Sequence, residues 1–323
     1  MKYKEYLLKS FDGTLINVCT IGEGDNIIVV SNGLGGNFKI FEEIIKDLPG
    51  FRFVSWDYRG LYKSHLPKNK NDVTITHHLN DLEAILKKEK VKKAIFLGWS
   101  IGSTINLQLY KKNPEYFKAL ILLNPVNKSI LKDIVSINRL IGKINVKLPY
   151  ISNLLKLYKN EINSLSQIVN IDEYLYKLLL IVQRYHKIYS GFLKMSSKIP
   201  RVASYLKKLR IVNDNMDDYL FEDIFKEYAK LNMELYLEII KDILKYNEED
   251  ILPKINKPTL LVSATRDILV PISKVKNMKD LIPNSEYTEV FRGSHYALIE
   301  FPEMISLAIK RFLRNNNLLW QYL

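Results

Sequence analysis

Three residues of this chain have the types and settings needed for nucleophilic catalysis: Ser100, Asp267 and His295. Ser100 sits in "AIFLGWSIGST", where an apolar run ends in Gly98-Trp99-Ser100-Ile101-Gly102, a Gly-x-Ser-x-Gly stretch leading into a helical pattern. A serine on a sharp strand-to-helix turn has its hydroxyl lifted clear of the sheet, and glycines on either side let the helix approach the strand. That turn also aims the backbone N–H of Ile101 and the positive end of the following helix at any oxyanion formed beside Ser100. The five-residue pattern alone arises by chance in roughly one chain in ten of this length; its position after an apolar strand makes it far more specific.

A serine hydroxyl needs a base to take its proton, and the base needs a third group to orient it. Of five histidines, His65 falls in a loop, His77 and His78 open a helix where solvation is the default, and His186 lies within a helical stretch. His295, in "RGSHYALIEFP", follows the last strand pattern and precedes the last helix. In "SATRDILVP", Asp267 stands 28 positions earlier (295 − 267), just past another strand, where the ligand-facing loops of a parallel sheet lie. There its carboxylate would accept the Nδ1–H of His295 and turn Nε2 toward Ser100. As a helix cap Asp267 would serve poorly, because the helical stretch Ile272 to Leu281 begins too late.

The elements that must position these groups alternate. Asn26 to Ser31, Phe51 to Asp57, Lys93 to Gly98 and Lys118 to Asn124 are short apolar runs of the buried-strand kind. Helical spacing occupies Phe38 to Leu48, His77 to Lys88 and Ile101 to Lys112 between them, and Asp12-Gly13 marks a hairpin near the N-terminus. The alternation predicts a mostly parallel sheet covered by helices. From 127 to 247 the strand signal disappears, and Leu, Ile, Tyr and Lys recur in helical patterns, the longest at Ile171 to Tyr189, with two more helices over Asp217 to Leu244. Strands resume at Pro258 to Ala264 and Ser285 to Phe291, and a helix near Met304 to Leu313 closes the chain. The expected organisation is therefore a core over 1–126, an all-helical cap over 127–247 and the rest of the core over 248–323.

At 323 residues and 47% hydrophobic content the chain has ample material for a large core. The opening "MKYKEYLLKSFDGT" has no signal-peptide apolar region and no window approaches a spanning helix, so the expected location is cytoplasmic. Cys19 is the single cysteine, with no metal-ligand cluster around it, and reads as a buried strand residue. The net charge of +13 rests on Lys over Arg by roughly four to one. Phosphate recognition favours Arg, and no basic helix or aromatic-basic motif stands out, so nucleic-acid binding is not expected. Such a surface would give at most weak peripheral attraction to an anionic membrane.

The order Ser, Asp, His carries a family resemblance. Together with "VVSNGLGG" (Val29 to Gly36), "DYRGLYKS" (Asp57 to Ser64), "GWSIG", "PTLLVSATRDILVP" and "GSHYALIEFPE", it resembles the α/β-hydrolase superfamily, in the capped branch with a serine nucleophile. The resemblance implies an α/β-hydrolase fold, no metal or cofactor, and an oxyanion hole built from the N–H groups of Leu34 and Ile101. The sequence departs from the family at Asn32, which replaces the usual histidine before Gly33, and at Tyr62, where a second glycine is expected. Asp57 and Arg59 read as braces of nearby loops. A serine at position 100 excludes the branches whose nucleophile is aspartate.

The function expected is hydrolysis of a small-molecule carboxylic ester through an acyl-enzyme on Ser100, with an apolar acyl pocket between core and cap and with Asn32 and Trp99 as pocket candidates. A lipid-like ester such as a monoacylglycerol or lysophospholipid fits that pocket. A thioesterase or C–C bond hydrolase would use the same three residues, and a ligand-binding protein on the hydrolase fold is the alternative from another class. Acyl length and oligomeric state are left open.

Overall fold

The computed structural model describes residues 3–127, 179–208 and 213–319. Eight strands form one sheet: β1 (Tyr3–Lys9), β2 (Leu15–Ile21), β3 (Ile27–Ser31), β4 (Arg52–Trp56), β5 (Ala94–Trp99), β6 (Phe117–Leu123), β7 (Thr259–Ala264) and β8 (Ser285–Val290), in the order β1-β2-β4-β3-β5-β6-β7-β8. The β1–β2 pair is the antiparallel hairpin marked by Asp12-Gly13, and β2 also runs antiparallel to β4; from β4 to β8 every pairing is parallel. All residues of β3, β5 and β7 are buried, which is why these strands read as unbroken apolar runs rather than alternating ones.

Two layers of apolar packing cover the sheet. On β3, Ile27 and Val29 belong to one layer and Ile28 and Val30 to the other, as the two-residue period of a strand requires. The first layer includes α2 (Ile75–Lys88), α3 (Ile101–Lys112) and a helix at Ile272–Leu281; the second includes α1 (Glu42–Lys46) and the C-terminal helix Pro302–Asn315. Expected over Phe38 to Leu48, the first helix is instead a 3-10 turn, Phe38–Phe41, running into α1. The Asn37 side chain accepts the N–H of Lys39 and tightens that entry.

Between β6 and β7 the described residues form α4 (His186–Ser196), α5 (Val202–Lys208), α6 (Asp218–Tyr228) and α7 (Met233–Ile243). The last two are the pair expected over Asp217 to Leu244, whereas the part of the Ile171 to Tyr189 piece before 179 lies outside the described residues. α7 is tied to the core: Asp242, mostly buried, accepts the N–H of Ile75 at 2.7 Å and so satisfies a free donor at the start of α2. Thr74 caps the same end, which is why α2 begins two residues before the expected His77.

His78 differs from expectation. Far from being solvated, it is fully buried on the inner face of α2, its ring 4.7 Å from that of Tyr58, because its position on the helix coincides with the apolar stripe of Leu79, Leu82 and Ile85. Cys19 is buried in β2 as expected. Leu318 and Leu319 pack on the second apolar layer, and Trp320 lies outside the described residues. No helix among the described residues is long and apolar enough to cross a membrane.

Candidate active site

Ser100 occupies the corner between β5 and α3 with φ 54° and ψ −119°, a backbone conformation that costs a non-glycine residue on the order of 1–3 kcal/mol. Its neighbours make the corner feasible. A Cβ on Gly98 would meet the backbone of Ser103 at 2.7 Å, and one on Gly102 would collide with the carbonyl of Ser31 at the end of β3. The corner is fixed by the Ser100 N–H donating to Leu123 O at 2.9 Å and by Ser100 O accepting from Ser103 and Val126.

The structure brings the three residues singled out above together. Ser100 Oγ lies 2.9 Å from His295 Nε2, and His295 Nδ1 lies 2.8 Å from Asp267 Oδ2. Each is between 7% and 8% exposed, so the line is nearly dry yet reachable. Asp267 does not cap the helix at Ile272–Leu281. Its Oδ1 accepts the N–H groups of Leu269 and Val270 at 2.8 and 2.9 Å, while Oδ2 takes His295 and, at 2.6 Å, the side-chain amide of Asn124. Burial pushes the Asp267 carboxyl upward, but the neighbouring imidazole and these backbone donors outweigh burial and hold it below the ordinary carboxylate range. The group therefore stays ionised across the pH range in which histidine titrates.

Asn124 was not anticipated as part of this arrangement. It ends β6 at φ 44° and is 1% exposed; its position at the close of "KALILLN" was the available signal, since asparagine tolerates left-handed backbone where most residues do not. The His295 loop is held from the other side by Glu300, whose carboxylate accepts the N–H and hydroxyl of Ser294 at 2.7 and 2.6 Å.

The loop after β3 runs beside the serine corner. Neither the Leu34 N–H nor the Ile101 N–H is engaged by another group among the described residues, and Ile101 is the first residue of α3. Asn32 and Trp99, the two pocket candidates, are both buried against their neighbours. Asn32 is 1% exposed, and its amide donates to Trp56 O at 2.8 Å and Ser55 Oγ at 3.2 Å, anchoring the loop from behind, which is the work a histidine would otherwise do. Trp99 is 2% exposed, donates from Nε1 to His295 O at 3.1 Å, and lies flat beneath the loop, where a Cβ on Gly33 would come within 2.5 Å of its ring.

Tyr62, standing where a glycine was expected, adopts a glycine-like φ of 48°, and its hydroxyl donates to Gly35 O. Asp57 and Arg59 act as braces. Arg59 is fully buried and bonds both oxygens of Asp81, at 2.8 and 2.6 Å, together with Asp12 at 2.8 Å. Asp57 accepts from Asn17 at 2.9 Å, and its burial raises the carboxyl to about 6. Among the described residues no group of three or more His, Cys, Asp or Glu is placed to hold a metal ion.

A family model described as alpha/beta hydrolase fold matches residues 26–154 and 180–302 of the chain. The AB hydrolase superfamily protein YisY of Bacillus subtilis is 22% identical over 318 residues, covering 95% of this chain and 98% of that protein. Among solved structures, a thermophilic esterase from Thermogutta terrifontis superposes with a TM-score of 0.66 at 17% identity, covering 97% of this chain and 99% of the other. A bromoperoxidase from Bacillus anthracis superposes with a TM-score of 0.69 at 16% identity, covering 96% and 100%. These likenesses establish a fold that serves more than one chemistry.

Proposed function

The chain belongs to the alpha/beta hydrolase family, and from that premise we propose that it is a serine esterase, with Ser100 as nucleophile, His295 as general base and Asp267 as the acid that orients it. The observation that carries this reading is the unbroken line from Ser100 Oγ through His295 to Asp267, with separations of 2.9 and 2.8 Å. Both lie within hydrogen-bond reach, as proton transfer in the transition state requires.

In the first half-reaction Ser100 Oγ attacks the ester carbonyl carbon as its proton passes to His295 Nε2. The imidazolium that forms is stabilised by the Asp267 carboxylate at Nδ1, which takes no proton itself. Negative charge on the former carbonyl oxygen is met by the N–H groups of Leu34 and Ile101 and by the positive end of α3, a preorganised environment that costs no rearrangement. Collapse breaks the bond to the leaving oxygen, which takes the proton from Nε2 and departs as the alcohol. Water then attacks the acyl-enzyme carbonyl with His295 again as base, returning free Ser100 and releasing the carboxylic acid.

Residues 127–247 would act as the cap of this site. Its support comes from α6 and α7. A Cβ on Gly35, in the loop carrying Leu34, would fall 2.7 Å from the ring of Tyr228 and 3.1 Å from that of Tyr236, so these helices rest directly on the proposed oxyanion loop.

The test is labelling by a fluorophosphonate probe together with hydrolysis of p-nitrophenyl esters of graded acyl length, comparing wild type with Ser100→Ala. The expected result is labelling and turnover in the wild type and neither in the variant. Turnover that survives the substitution would remove Ser100 from the chemistry.

A further inference from the structure

A cavity of about 550 Å³ opens beside His295. Ser294, His295 and Tyr296 form one wall, and Ile268 and Leu269, from the loop that follows Asp267, form another. Its charge is unbalanced, for Lys207, Arg266 and Arg292 face it with Asp214 as the one carboxylate. Lys207 is already committed, with Nζ 2.5 Å from Asp218 and donating to Met216 O. Arg266 and Arg292 make no ion pair among the described residues.

Unpaired arginines on a surface are ordinary, but these two are held as a pair. Arg266 directly precedes the acid Asp267, and Arg292 stands three residues before His295. The loops that carry them are bonded to each other: the Arg266 N–H donates to Gly293 O at 2.8 Å, and the Arg292 N–H donates to Thr265 Oγ1 at 2.7 Å. From the other side the Asn213 amide donates to Arg292 O. Arg292 also adopts φ 63°, a conformation in which glycine would incur no side-chain strain. Two guanidiniums are thus presented from fixed backbone to a cavity that shares a wall with the proposed general base.

Resting on the esterase reading above, we propose that this cavity binds an anionic group, a carboxylate or phosphate, on the leaving-group side of the ester, through Arg266 and Arg292. His295 indicates the side. The group that protonates the departing oxygen must touch it, so the leaving group is the part of the substrate nearest the His295 wall. A planar guanidinium presents two parallel N–H donors to the two oxygens of a carboxylate or phosphate, which a lysine does not. Tyr296, 39% exposed in the same wall, offers a flat apolar surface to the body of the leaving group.

The test uses a matched pair of acetate esters, 4-(carboxymethyl)phenyl acetate and its neutral carboxamide analogue, whose leaving oxygens are similar. Wild type should favour the acid over the amide by about tenfold or more in kcat/KM, and the preference should fall to about one in the Arg266→Gln, Arg292→Gln double variant. A wild-type ratio near one, or a ratio the double variant leaves untouched, overturns the proposal. A phosphonomethyl analogue in the same series, ranked against the carboxylate, tells which of the two anions the site fits better. Calorimetric titration with the products, 4-hydroxyphenylacetate against 4-hydroxyphenylacetamide, reads the cavity without turnover; equal affinities in the wild type overturn the proposal. Preferential binding of the acid without Ser100-dependent hydrolysis of the neutral ester would sink the esterase reading while leaving the anion site standing.

Discussion

Replacing Asp267 with Asn changes one oxygen to a nitrogen, and the four contacts around that carboxylate dictate which one. If the new amide kept its oxygen toward His295, its NH₂ would face the N–H groups of Leu269 and Val270, which approach Oδ1 to 2.8 and 2.9 Å. Two buried donors would then lose their acceptor, at about 1–3 kcal/mol each. The opposite orientation keeps both bonds and turns NH₂ toward Nδ1 of His295 and the amide of Asn124. Asn124 has a remedy, for its Oδ1 is buried without a partner and a flip of its amide supplies an acceptor. His295 has none except to accept at Nδ1 and carry its proton on Nε2, the atom that must receive the proton of Ser100. The variant should therefore fold, with stability changed by no more than about 2 kcal/mol, and lose on the order of 10³–10⁴ in kcat/KM, about 4–5.5 kcal/mol of transition-state stabilisation. The assay is p-nitrophenyl ester hydrolysis beside thermal unfolding followed by circular dichroism. A folded variant keeping more than a tenth of wild-type kcat/KM would refute the assignment of the carboxylate as the group that sets the imidazole tautomer.

Three further outcomes follow from the same geometry. Asn124→Gly keeps the left-handed backbone comfortable while removing the 2.6 Å bond to Asp267, so kcat/KM should fall by about tenfold, with the loss in kcat rather than KM; unchanged kcat would make the contact incidental. Ser100→Gly relieves the strain at φ 54° and should raise stability by about 1 kcal/mol while ending turnover, measurable as an upward shift in denaturation midpoint, and a less stable variant would show that the corner is not strained. Burial lowers His78 from 6.5 to about 3, so the stability tied to its neutral form is fully present above pH 6.5 and drains away as pH falls toward 3, by roughly 4–5 kcal/mol at most. Denaturant melts from pH 7 to 4 should find His78→Phe less acid-sensitive than the wild type, and parallel slopes would show that His78 is not the titrating group.

Much of the site was legible because its determinants are local. A Gly-x-Ser-x-Gly corner, an aspartate just past a strand and a histidine between the last strand and last helix are each written within a dozen residues. What failed to show were relations between segments. His78 reads as solvated until the ring of Tyr58 covers it, and Asn124 is one more polar residue ending a strand until Asp267, 143 positions on, arrives beside it. The burial of Trp99 is another such relation, for the glycines at 33 and 36 let the loop settle onto the indole. At Tyr62 the turn keeps a glycine-like φ of 48° without the glycine, and the tyrosine hydroxyl reaches across to fasten the neighbouring loop at Gly35 O.

The parallel run from β5 to β8 also sets when this protein can become active. Ser100 and His295 lie 195 positions apart, and the strand carrying the acid's loop cannot complete its pairing with β6 until the chain through residue 262 has been made. Loop closure costs more entropy over such separations, and long-range parallel pairing is intrinsically slow. During synthesis Ser100 and its two flanking glycines precede His295, so on the proposed mechanism the nascent chain carries the nucleophile with no base beside it. Hydrolytic activity is accordingly a clock for the last docking step: on refolding it should trail the recovery of helical signal, and the interval between the two measures how long the β7–β8 half takes to find its place.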